Sequence, residues 1–272
     1  MIGQTKLQAT LDKYVDSGFP RFSIFYGPSG SGRKTLVRQL AKKLGATLVV
    51  ADTKVDSIRE VISLAYKQSE PTLYLIPETD KMSPSAKNAL LKITEEPPRK
   101  AYFVMTILDL ANTLDTLKSR GAVFAVDQYT PAEIMEYCDL QEYKLSEEEE
   151  NIIQAVCLVP GQVDKLIQYD VKAFYEFVET VADHIGTVSG PNAFKIGSKL
   201  AYKDDDEGYD ITLFLRTLSI VYGAKMRQNP CHKYLECVKV ISKYMSQLNT
   251  NGINKSATMD MLILELRGLE EE

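Results

Sequence analysis

The 272-residue chain has no tryptophan, two histidines and four cysteines, and each scarcity narrows what it can be. Cys138, Cys157, Cys231 and Cys237 are scattered with no C-x-x-C pair, which argues against a disulfide framework and against a zinc module. The grouping Cys231-His232…Cys237 lacks a fourth ligand, and Cys237 falls on an apolar helical stripe, so no metal site is expected. His184 lies in a helical stretch and reads as an ordinary helix residue rather than a catalyst. There is no apolar run long enough to cross a membrane and no signal-peptide pattern, so a cytoplasmic protein with no membrane partner is the default expectation. A basic surplus is also missing. The net charge is −5, whereas a protein that grips DNA alone is usually basic, so any contact with nucleic acid is expected to be local or shared with partners.

Hydrophobic content of 44% and charged content of 25% suit a globular chain long enough for two or three compact units. Residues 1–20 read as a helix, followed by apolar strand runs at 22–26, 47–50, 72–76, 101–106 and 122–126. Helical spacing separates them over 35–44, over 55–67 (Val55, Ile58, Ile62 and Ala65 on one face) and from the N-cap Ser83 with Pro84 to about Thr94. Strands alternating with helices predict a parallel sheet covered on both faces. After Val126 the pattern turns helical with no further strand. Thr130-Pro131-Ala132-Glu133 and Ser146-Glu147-Glu148-Glu149 are capping boxes, and the Glu147–Glu150 run is a solvated first turn rather than a binding tail. The stripes Phe174/Phe177/Val178/Val181, Ile211/Phe214/Leu215/Leu218/Tyr222 and Leu235/Val238/Ile241/Met245 are faces for core or subunit packing. Polar connectors are expected at 203–208 and 249–254.

The stretch Gly27-Pro28-Ser29-Gly30-Ser31-Gly32-Arg33-Lys34-Thr35 joins the first strand to a helix and is nearly a phosphate-binding P-loop. In a working loop a lysine follows the last glycine and neutralises phosphate, and the next Ser or Thr holds magnesium. Arg33 and Lys34 occupy those two slots here. Arginine is cationic but planar and longer, so it is no isostere of lysine, and Lys34 cannot ligate a cation. A one-residue bulge would bring Lys34 and Thr35 into register instead. The strand that should supply the metal-binding carboxylate reads Leu73-Tyr74-Leu75-Ile76-Pro77-Glu78-Thr79-Asp80. Pro77 stands in the carboxylate position with no ligand to offer, leaving Glu78 without a metal partner and Asp80 as a further remnant. Two independent defects point to a site that does not hydrolyse ATP.

These pieces resemble the clamp-loader branch of the AAA+ proteins, and among them the bacterial DNA polymerase III delta-prime family. Ile2-Gly3-Gln4 is similar to its N-terminal Gly-Gln, and Val55-Asp56-Ser57-Ile58-Arg59-Glu60 to its I-D-x-I-R-E segment. Asp80-Lys81-Met82-Ser83 with Ala86-Lys87-Asn88-Ala89-Leu90-Leu91-Lys92-Ile93-Thr94-Glu95-Glu96-Pro97-Pro98 resembles its A-D-K-M-T…A-x-N-A-L-L-K-T-L-E-E-P-P block. Ser119-Arg120-Gly121 resembles the S-R-C motif with Gly for Cys, and residues 251–266 resemble the start of a last leucine-rich helix.

The resemblance implies an AAA+ α/β domain at 1–126 with a degenerate P-loop, a small helical lid at 127–170, and an all-α C-terminal collar domain at 171–272 that joins an oligomeric ring. It implies a subunit that does not hydrolyse ATP and whose Arg120, positioned by Ser119, reaches the ATP of a neighbouring subunit during loading of the sliding clamp. The implied partners are tau- or gamma-like motor subunits and a delta-like subunit, with the clamp and primed DNA reached through the complex. No cofactor is required, and ATP or ADP binding would be weak at most. The family's zinc-binding cysteines are absent between Val50 and Val55, so no zinc is expected, and Gly161-Gln162-Val163-Asp164 stands where the lid's second sensor arginine would be. Two other readings stay open at this level: an active AAA+ ATPase with a one-residue-shifted P-loop, and a structural AAA+ adaptor outside replication.

Overall fold

A computed structural model describes residues 2–187, 200–201, 208–248 and 253–271. The chain divides into two compact units, Met1–Tyr137 with Val159–Gly161, and Cys138–Leu158 with Gln162–Glu272. The lid stretch expected at 127–170 is shared between them.

The first unit is built on five parallel strands, β1 (Phe22–Tyr26), β2 (Thr47–Val50), β3 (Thr72–Ile76), β4 (Ala101–Ile107) and β5 (Ala122–Ala125), in the order β2-β3-β4-β1-β5. The strands match the apolar runs to within a residue or two, because a run buried on both faces has no polar side to turn outward. β3 is buried at every position. Its Tyr74 and Ile76 join one core with Ile58, Leu90, Ile93, Phe103 and Leu117, under α3 (Val55–Lys67) and α4 (Pro84–Glu95). Its Leu73 and Leu75 join the opposite core with Leu11, Leu36, Leu40, Phe25 and Phe124, under α1 (Thr5–Ser17) and α2 (Arg33–Lys43). The sheet is the AAA+-type layer expected, with helices on both faces. α1 is shorter than the expected 1–20 and is followed by Gly18 with φ 112°. α2 starts two residues earlier than expected, at Arg33. A short helix α5 (Asp115–Lys118) precedes β5.

α6 (Pro131–Leu140) begins in the first unit and ends in the second. The second unit continues with α7 (Glu147–Val156), α8 (Pro160–Gln168), α9 (Val171–His184), α10 (Ile211–Gln228), α11 (His232–Leu248) and α12 (Lys255–Glu271). α10 buries eight residues and packs on α7, α9 and α11, while α12 packs on α11. One expectation needs correcting. A two-residue parallel pairing of β6 (Leu200–Ala201) with β7 (Tyr209–Asp210) follows Val126, where only helices were expected. Tyr209 supplies the missing apolar signal through ring contacts with Tyr169, Phe174 and Phe177. Most of the connectors expected at 203–208 and 249–254 lies outside the described residues. No helix among the described residues is long and apolar enough to cross a membrane.

Both capping boxes form. Thr130 N donates to Glu133 Oε2 at 2.8 Å, and Ser146 N donates to Glu149 Oε2 at 2.7 Å. Hydrogen bonds from the Ser146 hydroxyl and backbone hold the Glu149 carboxyl below the ordinary range. A carboxyl lowered on folding stabilises above its unfolded pKa, and that contribution is lost as pH falls through the folded value. Ser146→Ala is therefore expected to raise the Glu149 pKa in an NMR titration and to destabilise the protein by ~1 kcal/mol at neutral pH in urea unfolding, with a smaller difference in acid.

Candidate functional site: the closed loop and the arginine at the end of α5

The C-terminal ends of β1, β3 and β4 converge, which is where open α/β sheets place ligands. The loop Gly27–Gly32 leaves β1 here, Pro77–Asp80 leaves β3, and Ile107 closes β4. Two loop glycines are required by close approach. A Cβ on Gly27 would lie 2.3 Å from the Val126 carbonyl oxygen, and one on Gly30, already at φ 80°, would lie 2.9 Å from Gly161 Cα. Ser31 N bonds Pro28 O at 3.2 Å, and the Tyr129 hydroxyl donates to Ser31 O at 3.1 Å. Gly32 is left-handed and opens α2, so Arg33 is the first helical residue and no bulge intervenes.

Helix geometry then separates the two cations. Arg33 turns inward, is 9% exposed, and donates from Nη1 to the Ile107 carbonyl, which also accepts from Gly27 N at 3.3 Å. Burial lowers the Arg33 pKa, and the nearby charges of Asp80 and Glu78 act the other way, favouring the guanidinium. Lys34 lies outward and pairs with Glu78 at 3.2 Å, both side chains over a third exposed. Thr35 follows in the same first turn of α2 and is exposed. Glu78 itself is a non-glycine residue at φ 51°, and its N–H donates to Thr106 Oγ1 at 3.3 Å. Asp80 is 8% exposed, and its Oδ1, like the buried Ser31 Oγ, has no hydrogen-bond partner. The mouth of the loop is met by Gly161, whose N–H donates to Gly30 O at 3.0 Å.

As placed, these groups do not fit a magnesium–nucleotide complex. An internal guanidinium occupies the inward slot, lysine stands where a hydroxyl ligand is needed, Pro77 has no donor, and backbone covers Gly30. Sequence reasoning named the loop and the strand end but missed Thr106, Ile107 and Tyr129. The first two were hidden in an apolar strand, and Tyr129 lies about a hundred residues downstream of its partner Ser31. The expected N-terminal signature has a visible task. Gln4 donates from Nε2 to Asp127 O at 2.7 Å and accepts from Asp127 N at 3.1 Å, continuing the chain beyond β5 with a side chain.

Arg120 follows α5, and Ser119 caps that helix, donating its hydroxyl to Thr116 O at 3.2 Å. At Gly121 a Cβ would come within 2.7 Å of the Phe22 ring. Arg120 donates from Nε and Nη2 to Glu95 Oε1 at 3.1 and 2.6 Å, and from Nη1 to Thr116 O. Among the described residues no group of three or more His, Cys, Asp or Glu could hold a metal ion.

A strand-order 2-3-4-1-5 parallel sheet with a glycine loop after β1 and an arginine before β5 fits the AAA+ fold class. A solved Thermotoga maritima protein described as related to the DNA polymerase III gamma subunit superposes with a TM-score of 0.53 at 15% identity, over 97% of this chain and 99% of that one. The RuvB Holliday junction branch migration motor of the same organism superposes with a TM-score of 0.51 at 17% identity, over 82% and 78%. Both show the fold. The family model for the DNA polymerase III delta subunit matches residues 45–130. A DNA polymerase III gamma subunit from Buchnera aphidicola (Schizaphis graminum) is 25% identical over 48% of this chain and 46% of its own length. The delta' subunit of the same organism is 39% identical over 69 residues, 24% of this chain and 21% of its own length. The chain thus spans about half or less of the length of these curated relatives. Over these segments the chain is similar to clamp-loader AAA+ proteins.

The loop geometry separates the roles of the two cations by experiment. Arg33→Ala should cost ~1–3 kcal/mol in urea unfolding, because it strips a buried carbonyl of a charged donor. Lys34→Ala should stay within ~0.5 kcal/mol, as exposed pairs contribute little. Equal effects would mean that Arg33 is not the anchor of the loop.

Proposed function

We propose that the chain is the non-hydrolysing, delta-prime-like subunit of a replicative clamp loader, supplying Arg120 in trans to a neighbouring ATP site. The observation that carries this reading is the buried Arg33 bonded to the end of β4, in the slot where a phosphate-binding lysine would stand. Pro77 at the metal position supports it independently. On this reading residues 127–170 act as the lid and residues 171–272 as the collar. Motor subunits of tau or gamma type and a delta-like subunit are the neighbours, and the clamp and primed DNA are met through the complex. No cofactor is required, no zinc is held, and ATP or ADP is bound weakly at most.

The arrangement can act in trans because Arg120 carries its charge at the surface while its own chain contributes no competing hydrolysis. A guanidinium stabilises charge developing on a transferring γ-phosphoryl group, and such residues are worth roughly 10³- to 10⁵-fold in rate in the best-studied nucleotidases.

A second reading, an active gamma-like ATPase, draws on the gamma relative, which aligns over more of the chain than the delta' relative does. Turnover measurements decide between the two. The pure chain is expected to show no magnesium-dependent ATP hydrolysis, and Pro77→Asp alone should not restore it, because the loop is also altered. Hydrolysis abolished by Glu78→Gln would establish the active reading instead.

Arg120→Ala should leave assembly unchanged and thermal stability nearly so. In the assembled complex it should slow clamp- and DNA-stimulated hydrolysis at one site. Clamp loading at the wild-type rate by a complex verified to contain the variant would end the trans-acting reading.

A further inference from the structure

Arg120 is not a freely swinging side chain. Leu117, fully buried beside Leu90 and Ile93, seats α5 against α4. That packing brings Glu95, the last residue of α4, to Arg120 across 25 positions of sequence. The guanidinium has five N–H donors. Glu95 Oε1 takes one from Nε and one from Nη2, and Thr116 O takes one from Nη1. One donor is left on each terminal nitrogen, and two such donors suit the paired oxygens of a phosphate.

We propose that Glu95 is the positioning residue for Arg120: it fixes the Nε side of the guanidinium so that the remaining donors are presented to a phosphate on an adjacent subunit. This rests on the proposed trans role of Arg120. The physical case is one of pre-organisation. Arginine has a high rotamer entropy, and ordering it before the reaction removes that loss from the catalytic step. The ion pair is suited to orienting without sequestering. The Arg120 and Glu95 side chains are 31% and 52% exposed, a setting in which ion pairs are weak and do not lock a side chain away. The second anchor, the Thr116 carbonyl at the helix end, accepts from the Ser119 hydroxyl as well as from Arg120.

The test uses the full chain assembled with its ATP-hydrolysing partner subunits, carrying Glu95→Ala, Glu95→Gln, Arg120→Ala, or Glu95→Ala with Arg120→Ala. Clamp- and DNA-stimulated ATP turnover is measured as kcat and KM, after co-elution and melting curves confirm equal assembly and folding. Glu95→Ala is expected to lower kcat at the affected site about three- to tenfold with KM unchanged, the signature of lost orientation rather than lost binding. Glu95→Gln should recover most of the rate, because its carbonyl oxygen still accepts both donors. The double variant should match Arg120→Ala alone, since Glu95 acts only through Arg120. Turnover at or above wild type in Glu95→Ala, with Arg120→Ala still slow, would overturn the positioning role and leave the trans role standing. A double variant slower than Arg120→Ala would also overturn it. Wild-type turnover in Arg120→Ala would remove the trans reading, and the positioning role with it.

Discussion

A guanidinium taken out of water needs acceptors and negative charge around it, and the centre of the first unit is arranged to meet that need. Arg33 reaches the Ile107 carbonyl at the end of β4 and lies near the carboxylates of Asp80 and Glu78. Breaking such an arrangement from one side leaves a buried charge, or a buried carbonyl without its charged donor, which is more costly than losing a surface pair. The consequence reaches beyond one residue. Ile107 also accepts from Gly27, Glu78 is tied to Lys34 and Thr106, and Tyr129 holds Ser31. Loop, β3 end and β4 end are thereby one connected polar structure.

In a working P-loop protein the same convergence of strand ends is left for a ligand to complete. Here side chains and backbone of the chain itself make the contacts. A nucleotide would have to find a place beside a cation already committed to a carbonyl. That is a different physical situation from a loop that merely lacks its lysine.

The second candidate centre follows other rules. Arg120 and Glu95 are half-exposed, and their pairing contributes little to folding. Their value lies in geometry, which the buried seat of α5 on α4 provides. Scaffold and chemistry are thus separated: the apolar core under α4 determines where the arginine is, and the ion pair determines how it is turned.

Much of this was legible in the sequence because the signals are local. Strands buried on both faces read as continuous apolar runs, Ser146 and Glu149 announce a helix start, and glycines mark the turn after β1. The positions of Arg33, Lys34 and Pro77 could be named on the same grounds, and Arg120 through the likeness of Ser119-Arg120-Gly121 to the S-R-C motif. What the sequence could not say is which cation of Arg33-Lys34 turns inward. That depended on α2 beginning at Arg33 rather than Thr35, a boundary set by the left-handed Gly32. Nor could it join Arg120 to Glu95, Ser31 to Tyr129, or Gly30 to Gly161. Those contacts join residues far apart in the chain, and only the packing of helices on the sheet and the meeting of loops at its edge bring them together. Local pattern therefore determined the elements and the candidate residues, while tertiary packing decided their partners and so their chemistry.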